Sequence, residues 1–267
     1  MGATSNVGVA GHGAGGAGGG AGAPARDESA PPGRDRAPTS APRPFGALFW
    51  TAVAAVGVTY VRALAFTPVE ALQGPAQKIF YLHAPAAFTA LYLAFALMAI
   101  SSVLYLWLRD PKLDRVAACS AEVGLAFTTV VLITGPLWAK PVWGTWWSGD
   151  ARLTATLFLW LIILGYLAMR QAVEDRELRA RYSAVLAILA GLLVPFIHLT
   201  VYLFRTLHPQ PIVLKPSAPS MPAEMAVTFA LAFVAFALLF VALLRARYRL
   251  ALAAEAREEA DGSGGPN

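Results

Sequence analysis

The sequence predicts an all-α polytopic membrane protein with six transmembrane helices. Of its 267 residues, 57% are hydrophobic and only 14% charged, a balance that a soluble domain of this size does not carry. Six separate apolar stretches each approach the roughly 20 residues that cross a bilayer core of about 30 Å. The short alternating segments of a closed barrel do not occur.

Residues 1–43 are Gly-, Ala- and Pro-rich with almost no large apolar side chain, and are expected to form a disordered tail. The run from Gly11 to Gly16 resembles a phosphate loop only by composition, since no strand precedes it and no helix follows. The first apolar stretch begins too late and runs too long for a signal peptide. The six spans are read as Pro44–Val61, Pro85–Leu108, Val116–Ala139, Leu153–Met169, Ser183–Phe204 and Met225–Leu244, making 44–244 the membrane domain. Residues 245–267 form a second tail, expected to prolong the last helix briefly and then fray.

Basic residues give the orientation. Fifteen of the 21 lysines and arginines fall in the N-terminal tail, the second and fourth loops and the C-terminal tail. The positive-inside rule then makes both termini cytoplasmic, in a multi-pass protein of the cytoplasmic (inner) membrane. The net charge of +5 reflects this topology and implies no nucleic-acid partner; the lipid bilayer is the surrounding partner. The single cysteine, Cys119, reads as a small packing residue. Without C-x-x-C-H, covalent c-type attachment of haem is excluded.

Between the third and fourth spans, residues 138–152 hold four of the seven tryptophans: Trp138, Trp143, Trp146 and Trp147. Trp143, Trp146, Trp147 and Asp150 recur at i, i+3, i+4 and i+7, one face of a helix if the segment is helical. Topology places the segment on the outer side, together with His83 before the second span and His208 after the fifth. A lone histidine at a helix end is ordinarily an interfacial polar residue. Two of them beside four indoles suit an iron porphyrin, which takes one imidazole on each side of its plane and stacks on flat apolar rings. Asp150 also fits the N-cap of the fourth span. Arg152 reads either as a hydrated interface residue or as a partner for a carboxylate such as a haem propionate. His198, deep in the fifth span, reads as a packing or supporting residue, and Glu122 is given no role.

At these residues the chain resembles a known family. The stretch from Trp143 to Thr154 is similar to the WWD signature of haem-handling cytochrome c assembly proteins, and its Asp-Ala-Arg-Leu-Thr ending to the haem exporter protein C (CcmC) branch. Lys78–Ala87 and Pro195–His208 agree, in the same order. Gly149 stands where the family carries another tryptophan before the aspartate. The resemblance implies a non-enzymatic protein that holds haem b non-covalently at the outer membrane face. It implies His83 and His208 as axial ligands and Trp143, Trp146, Trp147 and Asp150 as platform. It also implies delivery to a membrane-anchored periplasmic haem chaperone, beside the subunits of an ABC transporter, for c-type cytochrome maturation. The rival is a b-type cytochrome subunit of a quinol-linked redox enzyme, for which one deep histidine supplies too few ligands. A solute transporter would need a path of intramembrane charges.

Overall fold

The computed structural model describes residue 11 and residues 45–210, 212, 213, 215 and 220–263. The rest of the N-terminal segment 1–43, with Arg26, Arg34, Arg36 and Arg43, lies outside the described residues. Among the described residues there is no strand, and six helical rods are each long and apolar enough to cross a membrane. The protein is an all-α, multi-pass membrane protein.

Helix α1, Ala47–Ala65, ends over a buried lysine. Lys78 Nζ donates to the carbonyls of Ala63 at 2.7 Å, Thr67 and Pro68 at 3.2 Å. An ammonium belongs at the negative end of a helix, and three acceptors there compensate for its lost water.

The second rod is composite: a 3-10 turn Pro75–Ile79, helix α2 Phe80–Phe88, a π-helical turn Thr89–Ala94 and helix α3 Phe95–Leu108. It starts ten residues before the predicted Pro85. Gly74, at φ +61°, and Pro75 supply the break and the first-turn proline that the sequence reading gave to Pro85. Pro85 is therefore an interior residue of α2, and His83 lies within the helix instead of just ahead of it.

Helix α4 spans Pro111–Trp143; Asp110 caps it, accepting from the Lys112 N–H at 2.8 Å, and Gly144 at φ +76° ends it. Helix α5, Ala151–Ala172, is capped by Asp150, and helix α6, Arg176–Leu203, by Asp175. Each cap carboxylate accepts an N–H that has no partner in the first turn.

Helix α7, Ala223–Ser263, has 41 residues, about 60 Å at 1.5 Å per residue. It runs on to Ser263, further past Leu244 than the brief extension the sequence suggested. Arg115 on α4 pairs with Glu255, and Arg176 on α6 with Glu258 at 2.8 Å. Arg247 pairs with Glu122, which gives that intramembrane acid its partner.

The core lies where α3, α4, α5 and α6 meet, around Phe95, Met98, Leu159, Ile163 and Ile197. Helix–helix association in lipid depends on close packing, and small residues permit it. A Cβ on Gly191 would stand 2.5 Å from Ala99 Cβ, and one on Gly124 2.5 Å from the Phe95 ring. Beyond this packing a space opens where α4 and α6 finish and α5 and α7 begin.

Candidate functional site

A cavity of about 680 Å³ occupies that end, and His83, His198, His208, Trp138, Trp143, Trp147 and Arg152 all line it. The structure thus gathers residues from α2, α4, α5, α6 and two loops around one space.

His83 projects from α2 toward α4. Its Nδ1 lies 2.9 Å from Thr134 Oγ1, whose hydroxyl donates to the Val130 carbonyl at 2.7 Å. The threonine proton is used, so the imidazole donates its Nδ1–H and keeps the Nε2 lone pair. Room for the ring comes from Gly135, where a Cβ would sit 3.4 Å from His83 Cε1. Trp138 packs edge-on to His83 at 5.8 Å and is itself fixed by Nε1 donating to Gln73 Oε1 at 3.0 Å.

His208 follows α6 in the loop. Its Nδ1 lies 3.0 Å from the Pro209 carbonyl oxygen, which only accepts, so again Nδ1 carries the proton and Nε2 is free. Burial and the nearby Arg152 cation push its pKa down to about 4, against the opposing pull of the Pro209 carbonyl and Asp150. The imidazole is therefore neutral at pH 7, the form that binds a metal. The Trp143 ring meets it edge-on at 6.5 Å.

The tryptophan segment is not one continuous helix. Trp143 ends α4, and residues 144–150 form an irregular loop that turns through Gly144 and Gly149, at φ +76° and +69°. A side chain is strained in that left-handed region, so the glycine at 149 fits this path. The i, i+3, i+4, i+7 face consequently breaks up. Trp147 reaches the cavity, whereas Trp146 is 55% exposed and is not on its wall.

Asp150 also stands off the cavity wall. Besides capping α5 through the Leu153 N–H at 2.9 Å, it accepts from Thr206 Oγ1 at 2.7 Å, and Thr206 Oγ1 accepts from the His208 N–H at 3.0 Å. The carboxylate thereby ties the tryptophan segment to the loop that carries His208. Burial works against its charge, but the Leu153 N–H, the Thr206 hydroxyl and His208 outweigh it and hold the pKa below the usual carboxylate value.

The sequence matches the family model described as heme exporter protein C over residues 35–261. The chain belongs to that family. It is 37% identical to heme exporter protein C of Haemophilus influenzae over 200 residues, 75% of this chain and 81% of the relative. It is 36% identical to heme exporter protein C of Bradyrhizobium diazoefficiens over 220 residues, 82% of each chain. With that of Escherichia coli K12 it shares 36% identity over 162 residues, 60% of this chain and 66% of the relative.

Within this heme exporter protein C family member, the sequence reading missed several residues that hold the site together. Thr134, Gly135, Gln73 and Thr206 act across 51 to 65 positions of sequence, and nothing in local patterning marks them. Tyr92 was also missed. Its hydroxyl lies 2.7 Å from His198 Nδ1, which gives that histidine a bonded partner in the membrane interior, as a polar residue there requires.

Proposed function

We propose that this protein binds haem b non-covalently at the outer face of the cytoplasmic membrane and presents it to a periplasmic haem chaperone for c-type cytochrome maturation. His83 and His208 are the axial ligands in this reading. The observation that carries it is their matched chemistry. Both imidazoles border one cavity, both spend Nδ1 on a fixed acceptor, and both keep Nε2 for a metal.

The surroundings fit an iron porphyrin as cargo. Trp138, Trp143 and Trp147 give the wall flat apolar surfaces, while Trp146, exposed on the same loop as Trp147, offers an indole to a receiving protein. Arg152 Nη1 is buried without a hydrogen-bond partner, so the guanidinium is available to a propionate. Asp150 serves by positioning the His208 loop. The chain's own residues bind, orient and release, and no bond of the cargo has to be made or broken. In this reading the protein works beside ABC transporter subunits, and the basic-residue pattern supports cytoplasmic termini.

Absorption spectroscopy of the purified protein tests the reading. Six-coordinate haem with two nitrogen ligands is expected, and His83→Ala or His208→Ala should each convert it to a five-coordinate or empty form. A protein that takes up no haem on reconstitution would refute it.

A further inference from the structure

The cavity stops partway through the bundle. Its innermost lining residues are Tyr92 on the second rod, Thr128 on α4, Thr156 on α5, Ile197 on α6 and Phe229 on α7, and no residue of α3 lines it. At that level the Tyr92 hydroxyl lies 2.7 Å from His198 Nδ1 and bridges the second rod to α6. From Tyr92 the rod runs on to Leu108, about 24 Å at the helical rise.

That depth is filled by side chains. Phe95, Met98, Leu159 and Ile163 are fully buried where α3, α4, α5 and α6 pack together. A Cβ added at Gly124 or at Gly191 would stand 2.5 Å from the neighbouring helix. A packed interior holds few voids larger than a water molecule, so a porphyrin has no way between these helices.

Opening the inner end would also break ion pairs. Arg170 on α5 donates from Nη1 and Nη2 to the two carboxylate oxygens of Asp114 on α4, at 2.6 and 2.9 Å, and lies over the Tyr166 ring at 5.7 Å. Arg115 with Glu255, and Arg247 with Glu122, tie α4 to α7, while Arg176 and Glu258 tie α6 to α7. Separating a partly desolvated pair leaves both charges uncompensated. Ligand placement agrees with a closed inner end. The histidines among the described residues, His83, His198 and His208, all line the cavity, so the inner half offers iron no imidazole.

We infer that this chain is an outer-face acceptor and not a conduit: haem enters the cavity from the outer side, after a separate translocation step has carried it across the bilayer. The inference rests on the haem reading and on cytoplasmic termini, and adds the place of this protein in the sequence of events. Haem carries two propionate charges, which hydrocarbon excludes. The step that supplies it is therefore transbilayer movement of an anionic porphyrin, with no bond made or broken.

The test places the purified full-length protein in phosphatidylethanolamine–phosphatidylglycerol vesicles that enclose apomyoglobin, with haem–albumin added outside. Haem reaching the trapped globin reports crossing, and the two-histidine spectrum reports loading of the protein. Vesicles with and without the protein should fill the globin at the same rate, while the protein itself loads. A second arm fixes the inner end shut: Arg176→Cys and Glu258→Cys, in a Cys119→Ala background, are joined by a short bis-maleimide. The joined protein should bind haem as fast and as tightly as the same variant before joining. Faster globin filling in the presence of the protein overturns the inference, as does loss of loading on joining, which would show that the inner end has to open. Absence of a two-histidine spectrum in the unaltered protein sinks the haem reading itself, so the two failures are distinct.

Discussion

His83 Nδ1 is held 2.9 Å from Thr134 Oγ1, and the threonine hydroxyl is already committed to the Val130 carbonyl. One hydroxyl on α4 therefore decides which nitrogen of a histidine on α2 faces the cavity. Supporting partners of this kind typically change metal affinity by about 10- to 100-fold when removed. Thr134→Val, which preserves shape, is predicted to weaken haem binding by about tenfold, with thermal stability nearly unchanged. Haem titration followed by absorption checks it, and unaltered affinity would show that the tautomer is set some other way.

Gly135 faces the same imidazole, with a Cβ position 3.4 Å from His83 Cε1. Gly135→Ala demands a shift of a few tenths of an ångström, and Gly135→Val far more. The prediction is a graded loss of the two-histidine spectrum from glycine to alanine to valine. A valine variant that folds and binds haem normally would contradict it.

Asp150 performs two tasks with one carboxylate. Asp150→Ala removes the cap of α5, worth about 1 kcal/mol, and frees the loop of His208 from Thr206. The expected outcome is a lower melting temperature together with weaker haem ligation. Thr206→Val keeps the cap and should reproduce only the second effect, so comparing melting curves and spectra separates the roles. If Thr206→Val leaves the haem spectrum untouched, the tie between the two loops is not functional.

Gly191 and Ala99 bring α6 and α3 together so closely that an added Cβ would stand 2.5 Å from its neighbour. Overpacking a tight interface typically costs about 1–3 kcal/mol. Gly191→Leu is predicted to lower the melting temperature in detergent, while Gly165→Leu, where a Cβ meets nothing within 4 Å, should have little effect. Equal melting temperatures for the two variants would contradict the packing account.

The sequence by itself determined that the chain is helical and crosses a membrane six times, because the length of an apolar run is a local property that the bilayer thickness reads directly. It also brought out His83, His208, Trp143, Trp147 and Arg152 as candidates, since unusual residue types at span ends stand out in one dimension. Local pattern misled at the second rod, which Gly74–Pro75 and not Pro85 starts; the tryptophan face held only for a helical segment, and the glycines at 144 and 149 break it. Helix α7 extends further past Leu244 than the sequence suggested because its last turns are held by Glu255 and Glu258 pairing with arginines on other helices. Only the tertiary structure decided that Thr134 sets the tautomer of His83, that Asp150 holds the His208 loop, and that Tyr92 meets His198. The reason is physical: hydrogen bonds and cavity walls form between side chains 51 to 106 positions apart, and their partners are chosen by helix packing, which no local run of residues encodes.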